Sequence, residues 1–89
     1  MTGYTAGTMT LTVHLFARAR DLAGAASVSV DLPPGATVAA LRAALAARHP
    51  ALAPLLARSA VAVDHDFADD DHALTPAAEV AVIPPVSGG

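Results

Sequence analysis

Val63-Asp64-His65-Asp66-Phe67-Ala68-Asp69-Asp70-Asp71-His72-Ala73-Leu74-Thr75-Pro76-Ala77-Ala78-Glu79-Val80, VDHDFADDDHALTPAAEV, lies between two short valine-rich runs. It is long enough to hold a helix, and whether it does decides the architecture. The stretch has no 3.6-residue apolar period, its aspartates compete with the backbone for hydrogen bonds, and Pro76 would break a helix from within. It therefore reads as an acidic turn region from Asp64 to Asp71 with Phe67 inside it. A tight turn at Leu74-Thr75-Pro76 follows. On its N-terminal side Val61 and Val63 mark a strand. On its C-terminal side Val80 and Val82 form the buried face of a last strand that ends at Pro84, which cannot donate to a sheet ladder.

Working back towards the N-terminus, Leu52, Leu55 and Leu56 mark a short helical segment. Before it, Val38, Leu41 and Leu45 with intervening alanines predict an amphipathic helix, with Arg42 and Arg48 on its wet side. Thr37 is placed to cap that helix, and Pro50 ends it near His49. Pro33-Pro34-Gly35 breaks a preceding strand in which Val28, Val30 and Leu32 alternate with Ser27, Ser29 and Asp31. Arg18 to Ala23 predicts a short helical turn terminated by Gly24. The first strand is the most regular: Met9, Leu11, Val13 and Leu15 alternate with Thr10, Thr12, His14 and Phe16.

The order is strand, strand, helix, strand, short strand or turn, strand. A hairpin, a crossover helix and a return to the sheet predict an α+β fold, a single mixed sheet with one main helix packed across one face. That layout is the β-grasp, or ubiquitin-like, arrangement. A split ferredoxin-like half would need a second long helix before the last strand, and the acidic segment does not provide one. Residues 1–8 read as a flexible lead-in, 9–85 as the domain and 86–89 as a projecting tail.

Composition narrows the function. The 89 residues are 54% hydrophobic and 15% charged, which suits one small domain with a core but no deep private active site. There is no cysteine, which excludes disulfides, thiolate metal sites and a cysteine nucleophile. The net charge is -3, carried by eight acidic residues against five scattered arginines, and there is no lysine. Nucleic acid is a poor partner for such a surface, and one Tyr and two Phe offer no stacking platform. The N-terminus lacks the features of a signal peptide, and no apolar run approaches the roughly 18 residues that would span a bilayer. The expectation is a cytoplasmic protein without a membrane partner.

Parity along the strands singles out a patch. On the face of the first strand opposite the core stand Thr10, Thr12, His14 and Phe16; in the last strand the same face reads Glu79, Ala81 and Ile83. Phe16 and Ile83 thus fall on the solvent side, near the C-terminal exit if these strands are neighbours, and Phe67 could join them. Three large apolar side chains beside a tail predict a docking surface for a partner. The tail is unusual in itself. Pro84-Pro85 holds the exit extended, Val86-Ser87-Gly88-Gly89 spans at most about 14 Å, and Gly88-Gly89 presents only backbone to a narrow channel. The reactive group so delivered would be the carboxylate of Gly89, which needs activation as an acyl-adenylate before sulfur or an amine can attack it.

Three stretches together resemble one family: Val13-His14-Leu15-Phe16-Ala17-Arg18-Ala19-Arg20-Asp21-Leu22-Ala23-Gly24, the helix start Thr37-Val38-Ala39-Ala40-Leu41, and Leu74-Thr75-Pro76 with Glu79 through Gly89. The chain resembles the small sulfur-carrier subunits of molybdopterin synthase, the MoaD-like branch of the ubiquitin-like β-grasp proteins. The resemblance implies a non-autonomous subunit. An adenylating enzyme related to ubiquitin activators would use ATP on Gly89, a sulfur donor would convert the adduct to a thiocarboxylate, and the large synthase subunit would receive the tail from Pro84 to Gly88. It also implies that Phe16, Phe67 and Ile83 are contact residues, and that the chain binds no cofactor of its own. Asp64 stands where that family commonly has Asn, the loop from Asp66 to Asp71 is unusually acidic, and Ser87 replaces Thr. A thiazole-pathway sulfur carrier and a protein modifier attached through Gly89 are the alternatives.

Three other readings are weaker, and the first fails on spacing. Counted from Asp64, a calcium loop would need Gly and Glu where Asp69 and Thr75 stand. Zinc held by His65, His72 and carboxylates is less favoured than a solvated acidic turn. The serines lack the context of a nucleophile.

Overall fold

A computed structural model of the chain describes residues 7–85. Most of the predicted lead-in, residues 1–6, and Val86, Ser87, Gly88 and Gly89 of the predicted tail lie outside these residues.

The alternation from Met9 forms β1 (Met9–Leu15), with its odd-numbered residues buried. It pairs antiparallel with β2 (Ser27–Leu32), from Met9↔Leu32 to His14↔Ser27. Between them the helical turn is a full short helix, α1 (Ala17–Ala23), that buries Ala19. Gly24 ends it in the left-handed region at φ 72°, its N–H donating to the Arg20 carbonyl, because a residue without Cβ adopts that conformation at little cost.

The main helix is α2 (Val38–Arg48), which lays Val38, Leu41 and Leu45 on the sheet. The Thr37 hydroxyl accepts from the Ala40 N–H at 3.3 Å. The remaining first-turn amides are satisfied from a distance: Val38 N–H donates to His72 O at 3.0 Å and Ala39 N–H to Asp70 O at 2.9 Å. The acidic segment thus supplies backbone carbonyls to the helix start, and its carboxylates lie near the positive end of the helix dipole. Leu74, buried at the end of that segment, donates its N–H to Ala36 O. A single 3₁₀ turn (Pro50–Leu52) and α3 (Ala53–Leu56) then bury Leu52, Leu55 and Leu56.

Arg42 departs from expectation. Of the two arginines of α2, Arg48 is exposed; Arg42 is half-buried, and its Nη1 donates to the carbonyls of Leu56 at 2.5 Å and Ser59 at 2.7 Å. Its Nε reaches Asp70 at 2.8 Å. Alanines on that face of α2 leave room for the long stem to lie flat, so the guanidinium clamps the end of α3 and the acidic segment to the helix.

The sheet is completed by β3 (Ala60–Val63), β4 (Asp66–Phe67) and β5 (Val80–Ile83), in the order β2-β1-β5-β3-β4. β5 runs parallel to β1 and antiparallel to β3. This is the mixed β-grasp sheet, with α2 across one face. The core is aliphatic: Leu11, Leu15, Val30, Leu41, Leu45, Val61, Val80 and Val82 are all essentially inaccessible to solvent. No helix among the described residues is long and apolar enough to cross a membrane.

Candidate functional site

The parallel pairing of β1 with β5 places Val13 beside Val80 and Leu15 beside Val82. Because their inward residues are in register, their outward residues are as well, so Phe16 and Ile83 follow one another off the same end of the sheet's open face. Phe67 arrives from the other side on β4, where it pairs with Ala62. Phe16, Phe67 and Ile83 line one shallow groove of about 330 Å³, floored by Ala62 and Ala81. Phe16 is 50% exposed and Phe67 75%, whereas Ile83 is half-buried. The two residues singled out by parity and the Phe67 of the acidic loop are therefore brought together.

Two local backbone features set this groove. β3 and β4 are joined by the two-residue turn Asp64-His65, with φ 51° and 73°, the paired left-handed residues that suit the twist of a tight hairpin. Asp tolerates that conformation nearly as well as Asn does. Its Oδ1 also accepts from the Glu79 N–H at 2.9 Å while its own N–H donates to Glu79 O at 2.8 Å. Asp64 can thus do here what Asn would do in the family pattern, since either side chain offers that oxygen. At the other end, Ala17 has φ 50° immediately after Phe16. A left-handed alanine costs about 1–2 kcal/mol, and the bend separates Phe16 from the helix that follows.

The polar end of the groove carries Glu79, whose carboxylate lies 3.9 Å from His14 Nε2 and 3.5 Å from His65 Nε2. Sequence reading placed His14 and Glu79 on the open face without pairing them. The missing signal was the β1–β5 register, which no local pattern encodes. Among the described residues, no group of three or more His, Asp or Glu side chains could hold a metal ion.

Pairing ends at Ile83, as the following proline requires. Pro84 is buried against the domain, whereas Pro85 is exposed. Pro84, expected as the first residue of the inserted tail, thus follows the last paired residue and is itself covered by the domain. The expectations for Val86, Ser87, Gly88 and Gly89 lie outside the described residues.

Comparison with known proteins gives concordant results. The ThiS family profile matches residues 13–89. The molybdopterin synthase sulfur carrier subunit of Chlamydomonas reinhardtii is 36% identical over 83 residues, covering 91% of this chain and 100% of that protein. Its namesake from Arabidopsis thaliana is 32% identical over 77 residues, covering 86% and 80% respectively. Among solved structures, the small archaeal modifier protein 1 of Haloferax volcanii superposes with a TM-score of 0.80 at 30% identity, covering 88% of this chain and 99% of that one. A β-grasp sheet, an apolar groove beside its last strand and a profile match running to Gly89 lead to one conclusion: the chain belongs to the ThiS family.

Proposed function

We propose that the protein is a sulfur carrier for molybdopterin synthesis, with the chemistry on the carboxylate of Gly89. The observation that carries this reading is the convergence of Phe16, Phe67 and Ile83 around the strand that leads into Gly88-Gly89. An exposed apolar groove beside a side-chain-free terminus suits a surface that docks while the end of the chain enters a partner's active site. The Gly89 carboxylate attacks the α-phosphorus of ATP on an adenylating enzyme, releasing pyrophosphate. Hydrosulfide supplied by the sulfur donor then attacks the acyl carbon and displaces AMP, and loss of its proton leaves the thiocarboxylate. Two relatives of similar length bear the name of molybdopterin synthase sulfur carrier subunits, which supports the large synthase subunit as the partner that receives the tail.

A second reading has its own support. Similarity to a small archaeal modifier protein favours attachment of Gly89 to amines of target proteins. Intact-mass measurement separates the two after incubation with ATP, the activating enzyme and a sulfur source. A gain equal to the mass difference between sulfur and oxygen on the free chain, lost on deletion of Gly89, is the expected result. Isopeptide conjugates without any free thiocarboxylate would establish the modifier instead.

A further inference from the structure

Glu79 is the one carboxylate among the residues that line the groove, and no arginine lines it. Its backbone is pinned on both sides by Asp64, through the N–H and the carbonyl, so the side chain is held at the rim. The carboxylate is 61% exposed, and no hydrogen bond reaches it among the described residues. Its neighbours are His14 from β1 at 3.9 Å and His65 from the hairpin turn at 3.5 Å, neither hydrogen-bonded to it and each an ion-pair partner only when protonated. The other charged group in contact with Glu79 is Asp64, which adds negative charge, as does the exposed Asp66 on the same hairpin.

If the groove is a docking surface, as proposed above, a partner covering it takes this carboxylate out of water. An unpaired buried carboxylate is costly, and docking at such a surface is favourable only when a cation meets it. Two sources exist: the chain's own histidines, by taking up a proton, or the partner. We infer that the partner seated on this face presents an arginine or lysine side chain to Glu79, so that its own contact surface is apolar with a basic group at the hairpin end. The acidic hairpin around Glu79 favours that source, since it attracts a cationic partner before contact and sets the orientation of approach.

The test is isothermal titration calorimetry of the full-length chain against the purified large molybdopterin synthase subunit from the same organism, in buffers of differing ionisation enthalpy. Glu79→Gln should weaken binding about tenfold or more, the loss expected when one member of a covered charge pair is removed. Wild-type binding should take up no proton and should weaken as salt is raised, with a smaller salt dependence for the variant. Asp31→Asn, on the far edge of the sheet, controls for net charge and should bind as the wild type does. Unchanged binding by Glu79→Gln overturns the inference, and so does binding accompanied by proton uptake, which would make the histidines the source of the cation. If the wild-type chain does not bind the large subunit at all, the proposed function falls and the inference falls with it. Binding by both chains alike removes the inference alone.

Discussion

Arg42 occupies a helix otherwise rich in alanine, and periodicity places such a residue in water. Its guanidinium instead donates to two carbonyls of the chain that leaves α3, at 2.5 and 2.7 Å, and to Asp70 at 2.8 Å. The carbonyls belong to Leu56 and Ser59, both buried residues; Leu56 O also accepts from the Ser59 N–H at 3.3 Å, whereas Ser59 O relies on Arg42. Removing it leaves the Ser59 carbonyl unmet and takes a charged donor from Leu56 O, which costs about 2–3 kcal/mol for hydrogen bonds to a charged group. Arg42→Ala should therefore lower the melting temperature by on the order of 10–20 °C in thermal denaturation, given about 4–8 °C per kcal/mol for a domain of this size. Arg42→Lys should fall between the two, because an ammonium cannot fork between acceptors as a planar guanidinium does. A melting temperature within a degree or two of wild type for the alanine variant would mean the clamp contributes nothing.

At the level of elements, the start of α2 depends on a segment more than 30 residues away. First-turn amides of a helix ordinarily face water, but here Val38 and Ala39 donate to His72 O and Asp70 O. Hydrogen exchange followed by NMR should show both amides protected to the degree of α2's interior; rapid exchange would show that the acidic segment is not docked on the helix. The same elements show what sequence can and cannot reveal. β1, β2, β5 and α2 were legible because one face of each is buried, and that leaves a period of two or 3.6 in the residues themselves. Phe16 and Ile83 were legible for the same reason, as large apolar residues on the wrong parity. β4 is only two residues long, too short to carry a period, and was foreseen only as a short strand or turn. The capping of α2, the clamp at Arg42 and the meeting of Glu79 with His14 and His65 join residues far apart in the chain, and their geometry exists only once the sheet order is fixed. The burial of Pro84 was not legible either, because an exposed and a covered proline that ends pairing look alike in sequence.

At the scale of the molecule, the fold separates what holds it together from what it presents. The core lies between α2 and one face of the sheet, and the apolar groove lies on the other face. Phe16→Ala and Phe67→Ala should consequently weaken binding to the large subunit, measured by calorimetry, while shifting the melting temperature by only a few degrees. These side chains are already half to three-quarters in water. The opposite pattern would return them to the core. The parallel central pair adds a practical consequence. β1 and β5 point the same way, so the chain enters the sheet at Met9, about 20 Å along the strand from the end where Phe16 and Ile83 stand. No lysine occurs in the 89 residues, so no side chain of this domain carries a primary amine. Ordinary amine chemistry with a sensor chip or a fluorophore therefore modifies no side chain of the groove or of the sheet around it, and the face offered to a partner stays chemically intact.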